Sequence, residues 1–153
     1  MRSRITVIIL WLSYVSYSSN FSVSLRKQGV AVKGVLTCGE KRLANTLVRI
    51  VDLDFGIDII LCVDPDDTLD EKRTNDKGEF SLNGFTMEMA TIDPVLYVWH
   101  DCLDEMNPCL RKIKLEIPKK FIHDGNPNLS NWVDIGTINL EGSFASEKRE
   151  CVN

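Results

Sequence analysis

Two histidines, His100 and His123, and five cysteines are the residues of this sequence best suited to proton transfer or nucleophilic attack near neutral pH. Such chemistry needs a base beside a nucleophile or beside a second titrating group. His100 is followed by Asp101 and Cys102. Neighbours on a strand point to opposite faces, so this run is expected to be a satisfied histidine at a sheet end rather than a catalytic pair. His123 falls in a polar stretch and is expected to be solvated. No G-x-S-x-G, P-loop or H-E-x-x-H run occurs. The cysteines, Cys38, Cys62, Cys102, Cys109 and Cys151, contain no C-x-x-C pair for a zinc module. No catalytic residue, metal site or cofactor is therefore expected.

Charge and aromatic patterning point instead to recognition. Eight acidic residues and no basic one lie between Asp52 and Glu71, with Asp64, Asp66 and Asp67 on one expected loop. Clustered carboxylates can take Ca²⁺, but the central Gly and final Glu of an EF-hand are missing, so a solvated acidic loop is expected. Lys112 and Lys114 share one strand face, and Lys119 and Lys120 follow. That patch suits an anionic headgroup, a sulfated glycan or an acidic protein; its plainer reading is lysines that discourage edge pairing. Tyr97 and Trp99 share the face opposite Leu96 and Val98. If Leu96 and Val98 point inward, the two aromatics either form an exposed pair suited to binding or lie under a loop. Tyr97, Trp99, Lys112 and Lys114 are the expected ligand or partner surface.

The elements that would carry these residues are strands. From residue 30 onward, short segments alternate apolar and polar with turn signals between them. They are Val30–Cys38, a strand around Val48 and Ile50, one over 57–63, a short one over 69–74, and Glu79–Leu82. Val95–His100, Leu110–Ile117 and Val133–Leu140 complete the set. Asn75-Asp76-Lys77-Gly78 reads as a turn, and Thr86–Thr91 as a loop or a single helical turn. The apolar phase of the last strand slips at Gly136-Thr137, which predicts a β-bulge. Seven or eight strands without a helix longer than two turns predict an antiparallel β-sandwich.

Composition sets the compartment. Of 153 residues, 44% are hydrophobic and 26% charged, with a net charge of −4, which argues against a nucleic-acid binder. Arg2 and Arg4 precede an apolar run from Ile5 to Val15, and Ser16 and Ser18 follow. That is a secretory signal peptide over 1–18, too short in its apolar part for a membrane span. An N-terminal extension over 19–29, a sandwich over 30–142 and a tail over 143–153 complete the expected organisation. The protein is expected to be secreted and extracellular, with its cysteines oxidised. Asn128-Leu129-Ser130 is a candidate glycosylation sequon, and Asn20-Phe21-Ser22 sits beside the cleavage point.

The runs V-K-G-V-L-T-C-G at 32–39, T-N-D-K-G-E-F at 74–80, D-P-V-L-Y-V-W-H-D-C at 93–102, I-P at 117–118 and D-I-G-T-I-N-L at 134–140 resemble the nematode transthyretin-like family. The resemblance covers about residues 30 to 151. It implies a small secreted transthyretin-like (prealbumin-like) sandwich that binds an extracellular or cell-surface protein, or a lipid or other apolar ligand, without catalysis. The wider superfamily also holds hydroxyisourate hydrolases, the alternative reading, but the Tyr-Arg-Gly-Ser tail of those enzymes is absent. In a transthyretin-like topology the ends of the first strand, the Val95 strand and the last strand meet. Cys102 and Cys109 flank a six-residue loop. The expected bridges are therefore Cys102–Cys109 and Cys38–Cys151. Cys62 remains, either buried and unpaired or bridging two copies as a possible dimer.

Overall fold

The computed structural model describes residues 24–53, 66–127 and 131–151. Within them the chain forms ten strands: β1 (Arg26–Cys38), β2 (Lys41–Arg42), β3 (Leu47–Asp52), β4 (Asp67–Arg73), β5 (Glu79–Glu88), β6 (Pro94–His100), β7 (Leu110–Glu116), β8 (His123–Asp124), β9 (Val133–Asn139) and β10 (Lys148–Glu150). A 3-10 turn, Lys119–Phe121, follows Pro118. The expected strand over 57–63, and Cys62 with it, lies outside the described residues, as do the leader and both sequon asparagines.

Two sheets result. In the first, β1 is the hub: it pairs antiparallel with β2, β5 and β8, and in parallel with β9. The second runs β10-β7-β6-β3-β4, antiparallel throughout. The parallel β1–β9 pair departs from the purely antiparallel expectation. Period-two alternation reports which face is buried and says nothing of strand direction. Alternate residues Val30, Val32, Leu36, Phe80 and Leu82 of the first sheet meet Val48, Ile50, Leu96, Val98 and Ile113 of the second in one apolar core.

The bulge falls where the phase slip placed it. Lys33 pairs with Asp134 and Val35 with Thr137, so Ile135 and Gly136 oppose Gly34 alone. Gly136 takes φ 68°, and its N–H donates to the Asp134 carboxylate at 2.9 Å. Thr86–Glu88 is strand rather than loop or helical turn. The reason is that β1 begins at Arg26, and Arg26, Lys27 and Gln28 pair with Glu88, Met87 and Thr86. The expected sandwich boundaries at 30 and 142 accordingly fall short at both ends, because Lys148–Glu150 of the tail pairs with Leu110–Lys112.

That last pairing also corrects the disulfides. The bridges are Cys38–Cys102 and Cys109–Cys151, with Cα separations of 5.6 and 4.3 Å, not Cys102–Cys109 and Cys38–Cys151. Cys102 follows the end of β6, is buried in the core, and meets the end of β1 across the two sheets. The register of β10 sets Glu150 opposite Leu110, which brings Cys151 against Cys109. The sequence-based pairing treated residues 143–153 as a tail to be tied to β1 and so missed its β7 partner. Non-reducing peptide mapping is expected to yield Cys38–Cys102 and Cys109–Cys151 linked peptides.

The two sheets are also joined along one edge. The Asp70 carboxylate accepts the Asn83 N–H at 2.9 Å, and Lys72 Nζ donates to the Ser81 carbonyl at 2.9 Å. Side chains of β4 thus occupy backbone groups of β5. Their approach requires Gly84, where a Cβ would lie 2.2 Å from the Leu69 carbonyl oxygen. Gly84→Ala is expected to destabilise the fold by about 1–3 kcal/mol in urea titration. Gly142→Ala, which has open space, should shift stability by less than about 0.5 kcal/mol.

Candidate functional site

Strand register decides which residues share the outer face of the second sheet. Tyr97 pairs with Lys114 on β7 and Arg49 on β3; Trp99 pairs with Lys112 and Leu47. Lys148 of β10 in turn pairs with Lys112. Since Leu96 and Val98 lie in the core, Tyr97, Trp99, Lys112 and Lys114 face away from it together. The four expected surface residues are therefore brought onto one face.

They are not equally accessible. Tyr97 is half-buried, but Trp99 is only 1% exposed, so an exposed aromatic pair does not form. Long cationic side chains from the flanking strands lie over the indole. Lys112 Nζ is 4.9 Å from the Trp99 ring and 3.9 Å from the Tyr97 ring, and the Arg49 guanidinium is 5.0 Å from Trp99 on the same face. Lys and Arg stems bury readily on apolar surface while their heads stay wet. Trp99 is a platform for the lysine rather than a contact residue. Burial raises the Tyr97 hydroxyl above its ordinary range, with Asp66 and Glu150 adding to the effect.

Beside Tyr97 the surface dips into a pocket of about 250 Å³ lined by Lys112, Lys114, Ser146, Lys148, Arg149 and Glu150. Lys112 pairs with Glu150 at 2.7 Å, while Lys114 reaches only Glu116 at 3.8 Å. Lys148 makes no ion pair among the described residues. Two of the pocket's four cations come from β10. Sequence reasoning missed them for the same reason it mispaired the cysteines. Lys119 and Lys120 do not join the patch. Lys119 pairs with Asp93 at 2.7 Å, and Lys120 sits over the Phe121 ring.

Asp67, Asp70 and Glu71 of the acidic stretch lie on strand β4, and Asp64 lies outside the described residues. Glu71 pairs with Arg49, and Asp70 accepts from Asn83 and pairs with Lys72 at 3.0 Å. The histidines are far apart. His123 pairs with Gly29 early in β1, and His100 lies beside Cys102, which is bridged to Cys38 at its end. At roughly 3.3 Å per residue, those stations on β1 are about 30 Å apart. His123 Nε2 lies 3.1 Å from the Asn131 carbonyl.

His100 occupies a buried polar node. Its Nδ1 accepts the Cys102 N–H at 3.3 Å, while its Nε2 has no hydrogen-bond partner among the described residues. Alongside lies Arg111, a buried guanidinium. It holds the Glu147 carboxylate through two bonds, at 2.6 and 2.8 Å, and donates to the carbonyls of Cys102 and Gly142 at 3.0 and 2.6 Å. Burial, and then the Arg111 charge, depress the His100 pKa from 6.5 to about 4. The unfolded chain therefore takes up a proton at His100 between those values and the folded chain does not. Stability is full above pH 6.5 and falls as pH drops toward 4, by on the order of 3 kcal/mol. Urea titrations over that range should show the loss in the native protein, and His100→Gln should flatten it.

The family model described as TTR-52: Transthyretin-like family matches residues 33–118. Transthyretin-like protein 33 of Caenorhabditis elegans is 45% identical over 126 residues, covering 82% of this chain and 83% of the relative. Transthyretin-like protein 46 of the same organism is 44% identical over 130 residues, covering 84% and 69%. Among solved structures, a 9R-lipoxygenase from Cyanothece matches 77% of this chain with 17% of its own. It does so at 19% identity and a TM-score of 0.38, too distant to bear on the fold or function.

Proposed function

Because this chain belongs to the transthyretin-like family, whose resemblance runs through its core strands, we propose that it is a secreted, non-enzymatic interaction protein. Its partner is an extracellular or cell-surface protein with an acidic patch. The observation that carries this reading is the convergence of Lys112, Lys114, Lys148 and Arg149 with Tyr97 on one pocket of the second sheet. A cationic rim around a half-buried tyrosine combines charge attraction with apolar burial, the usual composition of a recognition surface. Two disulfides are compatible with an oxidising compartment, and the apolar leader over 1–18 supports export. No helix among the described residues is long and apolar enough to cross a membrane. The hydrolase alternative finds no support in the distance between the two histidines.

The test uses protein recovered from the medium of cells expressing the full sequence. Binding to immobilised polyglutamate should weaken with added salt. Lys112→Glu/Lys114→Glu should weaken it by about tenfold, whereas Lys41→Glu/Arg42→Glu on β2, with the same change in net charge, should not. Binding indifferent to salt and to both variants sinks the reading. Heparin and vesicles with anionic headgroups run in parallel; exclusive binding to either replaces the acidic protein by a glycan or a lipid surface.

A further inference from the structure

The connection between β6 and β7, residues 101–109, presents two apolar side chains to water: Leu103 is 71% exposed and Met106 96% exposed. Leu103 takes φ 55°, left-handed backbone that costs an ordinary residue roughly 1–2 kcal/mol and is usually left to Gly or Asn. Such a conformation persists only where its surroundings fix it. Here they do. The Asp104 N–H donates to the Asp101 carbonyl at 2.8 Å, and the Asn107 N–H to the Asp104 carbonyl at 3.0 Å. Cys102 is bridged to Cys38 and Cys109 to Cys151, so both roots of the loop are anchored. Arg111 holds the Cys102 carbonyl, and Arg149 holds the Asp104 carboxylate and the Cys109 carbonyl. A loop fixed before contact loses little entropy on docking.

Charge identifies what the loop fits. Of its three acids, Asp104 is committed to Arg149, while Asp101 and Glu105 make no ion pair among the described residues. The cationic pocket beside Tyr97 is their complement, with Lys148 unpaired and Lys114 held only at 3.8 Å. Asp101 and Glu105 form no ion pair with Lys114 or Lys148 among the described residues. We propose that the loop docks on a second copy of this chain, seating Leu103 and Met106 against the Tyr97 pocket with Asp101 and Glu105 facing Lys114 and Lys148. Loop and pocket belong to the same β6–β7 hairpin and its β10 neighbour. Two copies can therefore make both contacts reciprocally, and the assembly closes as a twofold dimer. The proposal takes the same face as the recognition reading and rests on it: dimerisation masks the partner surface.

Sedimentation velocity on the secreted chain tests this. It is run in the Cys62→Ser background, so that no bridge through that cysteine contributes. The expected result is a monomer–dimer equilibrium across the micromolar range that weakens with salt. Leu103→Asn/Met106→Ser keeps a residue suited to the left-handed position and should raise the dissociation constant at least about tenfold. Asp101→Lys/Glu105→Lys and Lys114→Glu/Lys148→Glu should each be monomeric alone and should associate when mixed. A monomer at every concentration, a dimer unmoved by the loop variant, or reversed-charge variants that fail to associate when mixed overturns the proposal. The polyglutamate assay separates the two claims. No polyglutamate binding by the monomer, below the dimer's dissociation constant, with the charge-swapped dimer intact, sinks only the recognition reading. Retained binding by a chain that stays monomeric sinks only the dimer.

Discussion

The buried Arg111–Glu147 pair is the interaction on which the rest of this end of the molecule depends. A guanidinium removed from water is costly unless its donors are met, and the full set of partners here comes from separate parts of the chain. Cys102 ends the β6 side of the hairpin, Leu140 follows β9, and Gly142 and Glu147 lead into β10. One side chain thereby sets the position of the loop root, the exit from the first sheet and the entry of the last strand. Glu147 responds in kind: Arg111 holds its carboxyl below the ordinary carboxylate range. The bridge between Cys109 and Cys151 then fixes covalently a geometry the ion pair has already selected.

The cationic pocket is a product of that node. Lys148 and Arg149 reach the Tyr97 face only because β10 docks on β7, and β10 docks where Glu147 is held. Arg111 is buried and fully engaged, while Lys114 reaches only Glu116 at 3.8 Å and Lys148 makes no ion pair among the described residues. His100 fits the buried side of this division, since it sits neutral beside a permanent positive charge and donates nothing to the outer face.

Much of the fold was legible in the residues, because period-two alternation is a direct record of a sheet with one wet face. Leu110–Ile117 shows it, as does the slip at Gly136, where a single glycine absorbs the extra residue. What the pattern does not carry is pairing. Three residues, Lys148–Glu150, have no apolar member to show phase, yet they bring Cys151 to Cys109 and supply two of the pocket's four cations. The burial of Trp99 was hidden for a related reason. Its cover is the stems of Arg49 and Lys112, residues that composition counts as polar. Side chains with apolar bodies and charged ends are read by sequence as surface, and here they serve as roof.

The parallel pairing of β1 with β9 has a consequence for how the chain is made. Val32 of β1 meets Val133, about a hundred residues later. During synthesis β1 emerges first and the strand that completes its flank almost last. Contacts of such long separation form slowly, and a strand with an open edge is the species most prone to wrong pairing. Strand β5 can shield one side of β1 earlier, but the other stays open until β9 arrives. A sandwich of this design therefore leaves one edge of β1 to be protected until its last neighbour emerges.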